Sequence, residues 1–405
     1  MSYNMLITHI EDGTSKSFDV SEIVHNIEYT TSLESQAGRL TFMLEKDLSN
    51  SLVISIGSFV QFFSNKRCIF YGKIFTIETD STDVYRVVAY DFLRYLKNSD
   101  SILVENENGD NTRIRTLREL FDDIVSVYNI SGIKGKMGKW ADTVDLQPLD
   151  AHYFSNNTHF EILQYYMSIE GERLAKSAKT KSPYLMSSDL VARLYLKCNL
   201  DTIELREIMY DFLYDENGNR RTTFLQIGDE SLMTDYTYKV DIDNEVYNRL
   251  IFVYNQKKTD ESTTGETSES TNTQVSEKQI IAAMDAGHVI SNTGSSLDGT
   301  KIGENTMSKW GILSKVIEVK NIEPSNVLDE YMKACLEVYS QPNRTLRLNA
   351  VGYDGVEAGS GFYLHINKLD ANYPVYVISA THRYDADEHM MELEISTNIG
   401  MRLFV

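Results

Sequence analysis

Cysteine is scarce in this sequence. Its three, Cys68, Cys198 and Cys335, lie far apart and are odd in number. They offer no disulfide framework and no C-x-x-C metal site, and reduced thiols fit a protein made in the cytoplasm. Basic residues are also in deficit: 39 Lys and Arg face 59 Asp and Glu, a formal net charge of -20. Nucleic-acid binding needs Lys and Arg to neutralise phosphates, and anionic membrane surfaces make the same demand. The charge balance argues against both partners. It suits solubility, or a surface that repels polyanions. No apolar run reaches the roughly 18 residues that a helix needs to span a bilayer, so no membrane insertion is expected. The opening MSYNMLITHIEDG has neither a basic segment nor a long apolar core, so no signal peptide is expected either.

Catalytic signatures are missing too. A hydrolase needs an activated nucleophile, a positioned acid/base pair or a metal. The chain contains no H-E-x-x-H, no G-x-S-x-G and no G-x-x-x-x-G-K-[ST]. The best metal-like cluster is ATHRYDADEHMMEL, where Asp385, Asp387 and Glu388 lie between His382 and His389. The acidic residues fall where a loop tip belongs, so a polar hairpin turn is the better reading. DFLYDENGN (211–219) lacks the ligand spacing and distal Glu of an EF-hand and reads as a turn. GYDGVEAGSGF lies between strands, without the spacing of a phosphate cradle. Tyr165, Tyr166, Tyr236 and Tyr238 suit a core or an interface better than a carbohydrate platform. No catalytic residue, cofactor or metal ligand is assigned.

What is present is β-patterning at both ends. Leu40, Phe42 and Leu44 alternate with polar or flexible neighbours, as do Phe75 with Ile77 and Tyr85 with Val87 and Ala89. Period-two alternation puts one face on a core. Ser64-Asn65-Lys66 and Asp80-Ser81-Thr82-Asp83 mark turns. Leu346, Leu348 and Ala350, then Phe362, Leu364 and Ile366, then Met391, Leu393 and Ile395 repeat the pattern near the other end. Between them the period changes. Thr116 with Glu119, and Thr158 with Glu161, are capping boxes ahead of amphipathic helices. Residues 187–214 also read as helical, through Leu190, Leu194, Leu205, Ile208, Met209 and Phe212, although helix and strand are hard to separate around 192–197. Residues 257–278 are rich in Ser, Thr and Glu and cannot bury a core. A short helix is expected over Glu277–Ala286, and a clearer one after Ser325.

A mainly β fold with α insertions (α+β) follows. A first β module spans 1–98, a helical or mixed insertion 99–222, and a second β module 223–256 with 342–405, interrupted by a polar arm and helix over 257–341.

Several segments come in a telling order. Ile242, Asp243, Tyr247 and Asn248 are followed by Lys309, Trp310 and Gly311, then by Arg347, then by Ala358, Gly359 and Ser360. Thr381, His382, Tyr384, His389 and Met391 close the series. This set resembles the baseplate hub proteins of contractile phage tails and R-type bacteriocins of Gram-positive bacteria. The resemblance implies two tail-tube-like β-barrels in one chain, a homotrimer, and a structural role without catalysis. The trimer would adapt the six-fold tail tube to the three-fold central spike. Implied partners are the tail tube and spike proteins, with tape-measure and baseplate wedge proteins beside them. Assembly in the host bacterial cytoplasm and release within the tail particle are implied as well. Asp243, Tyr247, Asn248, Trp310, Gly311, Gly359, Ser360, His382 and His389 are the expected structural residues, and Trp310 is expected to be substantially buried. The competing readings are a cell-wall-degrading tail enzyme and a carbohydrate-binding tail adhesin.

Overall fold

The computed structural model describes residues 3–11, 13–33, 36–45, 54–79, 81, 84–101, 103–104, 116–149, 152–181, 194–243, 246–256, 276–285, 288–291, 306–319, 339–340, 342–385 and 388–396. The chain divides into two compact units: Met1–Tyr238 with Thr345–Val405, and Lys239–Arg344.

The first unit opens with seven strands: β1 (Tyr3–Glu11), β2 (Thr14–Asp19), β3 (Val24–Ser32), β4 (Gln36–Glu45), β5 (Phe59–Ser64), β6 (Arg67–Thr79) and β7 (Val84–Tyr90). Leu40, Phe42 and Leu44 are buried with Met5, Ile7, Val60, Phe62, Val87 and Ala89, as the alternation requires. The β5–β6 hairpin turns on Asn65 and Lys66, both at positive φ (47° and 68°). A two-residue turn of this kind matches the right-handed twist of its strands. A register shift at Ile74/Thr76 breaks the expected pattern in β6. The irregularity sends Ile74 into the core. Phe75 is left half-buried, packing edge-on against Tyr90 and Tyr95 at 5.5 and 6.3 Å.

The insertion begins with the two-residue strands β8 (Ser99–Asp100) and β9 (Leu103–Val104), followed by helix α1 (Leu117–Ser126). Then come β10 (Lys134–Met137), β11 (His152–Tyr153), β12 (Asn157–Thr158), helix α2 (His159–Lys181), β13 (Leu194–Asn199), β14 (Thr202–Glu207) and helix α3 (Ile208–Leu213). Both capping boxes form. Thr116 Oγ1 accepts from Glu119 N while Glu119 accepts from Thr116 N, and Thr158 and Glu161 make the same exchange. The helix expected across 187–214 is corrected. Its described part is the β13–β14 hairpin, with helix only over Ile208–Leu213. Leucine spacing there suits either structure; pairing decides it, because β14 lies between β13 and a parallel β10 and buries Ile203 and Leu205.

The second β module begins at β15 (Gln226–Gly228) and β16 (Met233–Asp241). The second unit then holds β17 (Arg249–Gln256), β18 (Ser276–Asp285), β19 (His288–Ser291), helix α4 (Thr306–Trp310) and β20 (Ser314–Val319), its strands ordered β19-β18-β17-β20. Here the expected helix over 277–286 is corrected: Ser276–Asp285 is a strand paired along the whole of β17. Long-range pairing overrides the helix preference of Ala282, Ala283 and Met284, and β-branched Ile280 and Ile281 favour it. Most of the polar arm and the Ser325 helix lie outside the described residues.

The module closes with β21 (Asn343–Val351), β22 (Gly361–Ile366), β23 (Ala371–Tyr384) and β24 (His389–Ser396). The architecture is mainly β with α insertions. The two β modules are joined rather than separate. One edge of the 14-residue β23 pairs first with β22, through Ala371–Tyr376, and then with β3, through Ser379–Tyr384. The result is a 13-stranded sheet whose path runs from β16 to β2 and does not close on itself among the described residues.

Candidate functional site

The β23–β24 register places His382 opposite Met391 and Tyr384 opposite His389. The two histidines are therefore diagonal neighbours on one face, within reach of each other. His382 Nδ1 lies 2.8 Å from His389 Nε2, and His382 Nε2 lies 2.6 Å from the Val356 carbonyl. A carbonyl only accepts, so His382 carries its proton on Nε2, and His389 Nε2–H then donates to His382 Nδ1. His389 Nδ1 is 3.5 Å from Asp354 Oδ1, which accepts from the Tyr384 hydroxyl at 3.0 Å. The Tyr384 and His389 rings stack at 4.1 Å. Gly352 makes room for the chain: a Cβ there would stand 2.1 Å from the His389 ring. Burial lowers the proton affinity of both imidazoles, pushing His389 down to about 4.

The same segment carries Glu357, paired with Lys197 Nζ of β13 at 2.9 Å. Burial works to raise this carboxyl, but Lys197, Arg67 and His382 outweigh it and hold it below its ordinary value. Glu357, Lys197, Arg67, Asp91, Arg206 and Tyr29 line a polar cavity of about 80 Å³. Asp91 is buried there and accepts from Gly38 N at 2.9 Å and Leu93 N at 3.0 Å. Gly359 and Ser360 form the next turn. Gly359 has φ +87°, and a Cβ on it would lie 2.4 Å from the Tyr195 ring, so both backbone and space demand glycine. Ser360 Oγ accepts from Glu357 N and its carbonyl from Val377 N, both at 2.9 Å.

The remaining expected residues fall in the second unit. Asn248 is fully buried. Its Nδ2 donates to the Gly311 carbonyl at 2.8 Å, and its Oδ1 accepts from Leu313 N at 2.9 Å. Gly311 takes φ +77° at the turn this side chain clamps. Tyr247 and Tyr339 meet at 5.8 Å, with Lys315 Nζ 5.0 and 4.5 Å from their centroids. Trp310 is half-buried, and Asp243 is exposed. The structure thus joins Asn248 to Gly311, and His382 to His389, while Asp243 stands apart from these contacts. Asn248→Ala removes both hydrogen bonds, whose partners are the exposed Gly311 and the half-buried Leu313. The expected loss is about 0.5 to 1.5 kcal/mol for each, read as a lowered urea midpoint. Asn248→Asp keeps the acceptor for Leu313 N but sets a carboxylate oxygen against the Gly311 carbonyl in a fully buried position, and is expected to lose at least as much.

Sequence reasoning missed Asp91, Asp354, Glu357 and Lys197, whose partners are distant in the chain. It also missed a second hydrogen-bonded chain, running from buried to exposed, in which the Tyr128 hydroxyl lies 2.5 Å from His159 Nδ1 and Asp100 Oδ2 lies 3.0 Å from His159 Nε2. That chain ties β8 to the start of α2. Among the described residues, no group of three or more His, Cys, Asp or Glu is gathered as a metal site.

A YQBQ-like family model matches residues 27–137, 208–275 and 297–396, more than half of the chain. The chain belongs to the YQBQ-like family. No curated protein matches it. Among solved structures, this family member is similar to the 43 kDa tail protein of prophage MuSo2 from Shewanella oneidensis. The TM-score is 0.56 and the identity 9%, over 99% of this chain and 100% of the other. It is also similar to the tail protein from Neisseria meningitidis MC58, with TM-score 0.55 and 11% identity, over 100% of this chain and 98% of that one. At these identities the likeness is one of fold, and the fold is that of phage tail proteins, the class to which the sequence resemblance pointed.

Proposed function

We propose that this chain is a structural hub subunit of a contractile tail, in a phage or an R-type bacteriocin. Three copies form a ring that adapts the six-fold tail tube to the three-fold central spike. The two β modules, 1–98 and 223–256 with 342–405, serve together as the tube-like part of the ring, joined through β23, and the segments 99–222 and 257–341 are insertions. Partners are the tube and spike proteins, with tape-measure and wedge proteins nearby, and no specific nucleic acid or membrane. The subunit is assembled in the host cytoplasm and leaves within the particle. It performs no catalysis and needs no cofactor.

The observation that carries this reading is the end-to-end likeness in fold to two tail proteins. The motif residues support it. Asn248, Gly311, Gly359 and Ser360 hold turns, and the imidazole nitrogens of His382 and His389 face each other, a carbonyl and a carboxylate. Such residues shape surfaces for assembly rather than offer a nucleophile to a substrate.

Electron microscopy and mass photometry of the purified protein test the proposal. A three-fold ring, or a monomer that becomes one on mixing with tube and spike proteins, is the expected result. A ring of another symmetry, or cleavage of peptidoglycan by the purified chain, would overturn it.

A further inference from the structure

Residues 352–360 touch four parts of the first unit at once. Ala358 N donates to Thr31 Oγ1 of β3 at 2.9 Å, and Asn65 of the β5–β6 turn reaches Asp354 at 3.4 Å. Glu357 pairs with Lys197 of the insertion, and Gly359 N donates to Val377 O of β23 at 2.9 Å. The His382–His389 pair is fastened to this segment at Val356 and faces it at Asp354.

The proton inventory of the pair is definite. In the neutral state His382 Nε2–H points at Val356 O and His389 Nε2–H points at His382 Nδ1, which leaves one bare nitrogen, His389 Nδ1. A further proton has that single place to go. It would create an imidazolium on a side chain 5% exposed. Asp354 of the segment, Tyr384 of β23 and Arg67 of β6 lie beside it, while Glu357 of the segment and Tyr29 of β3 lie beside His382. The Asp354 carboxylate favours the cation, whereas burial and His382 oppose it. Burial is the largest influence.

We propose that the His382–His389 pair is an acid-sensitive latch: its neutral form holds segment 352–360 against β23 and β24, and a proton on His389 Nδ1 releases it. A buried cation gains by reaching water, and the movement that exposes His389 is departure of the segment lying over it. Because burial depresses the folded-state value below the ordinary 6.5, the hold is complete above pH 6.5. It weakens as pH falls towards about 4. Release would loosen the joint between the first β module, the insertion and the second β module. This holds whatever the assembly that the protein serves.

Hydrogen exchange of the full-length protein at pH 7 and about pH 4.5, corrected for the intrinsic pH dependence of exchange, tests the latch. Peptides covering 352–360 should exchange about 10-fold faster at the lower pH, a shift of about 1.4 kcal/mol, while peptides covering β1 and β2 stay unchanged. His389→Gln keeps an N–H for His382 Nδ1 and takes up no proton, so its protection should not vary with pH. Nitrogen NMR of the wild-type imidazoles gives a reading independent of that variant: both should be neutral at pH 7 and protonated on Nε2. An imidazolium at pH 7, unchanged exchange at pH 4.5, or the same acceleration in His389→Gln would overturn the proposal.

Discussion

Trp140→Ala is expected to lower the stability of the first unit by about 3 to 5 kcal/mol, the range for truncating a fully buried tryptophan. Trp140 is 2% exposed and packs in the core shared by α1, α2 and the β13–β14 hairpin. Its Nε1 donates to the Leu205 carbonyl at 3.0 Å. Gly138 allows the ring to sit close, since a Cβ there would come within 2.8 Å of it. The Leu205 carbonyl also accepts from Gly138 N at 2.8 Å, so removal of the indole N–H does not orphan it. Trp140→Phe should therefore lose only about 1 kcal/mol, and the gap between the two variants measures packing rather than hydrogen bonding. Urea unfolding followed by far-ultraviolet circular dichroism reads both. A loss below about 1 kcal/mol for Trp140→Ala would show that this core does not depend on the ring.

The contrast with Trp310 shows what the sequence does and does not reveal. Trp310 drew attention as part of an ordered motif, yet it is the half-buried tryptophan; Trp140, in no motif, is buried. Burial at a distance is not written in a local window. Patterns confined to a few residues were legible, such as the β4 alternation, the Asn65-Lys66 turn and the two capping boxes. The β13–β14 hairpin was not, because its leucines fit two periods and only its partner β10 chooses between them. The joining of both modules along β23 was equally hidden, since Ser379–Tyr384 meets a strand more than 300 residues earlier. Among the site residues, the order of the Asn248 and Gly311 motifs was visible but the clamp linking them was not. Asp91, Lys197 and Glu357 reach one cavity from three distant segments, and no spacing rule connects them.

Asp91→Ala should also be severe, because it strips acceptors from two backbone groups at once. The Gly38 and Leu93 N–H groups both point at this carboxyl. A buried donor left unsatisfied costs about 1 to 3 kcal/mol, so the pair gives about 2 to 6 kcal/mol. Asp91→Asn retains one acceptor oxygen and should lose roughly half as much. The asparagine variant also isolates a pH effect. Burial pushes the Asp91 carboxyl up to about 7, against the opposing pull of the two N–H donors. A carboxyl raised in the folded state contributes stability that is fully present below its ordinary value of 3.8. That contribution is lost as pH rises through about 7, because only the unfolded chain ionises freely in between. Asparagine does not titrate, so the wild-type advantage over Asp91→Asn should be greatest near pH 4 and shrink steadily to pH 7. His389 acts in the opposite sense between pH 6.5 and about 4, but it is present in both proteins and cancels in the difference. Urea unfolding of the two proteins across this range decides the matter. A wild-type advantage that stays flat, or grows with pH, would mean that Asp91 is ionised in its buried site throughout.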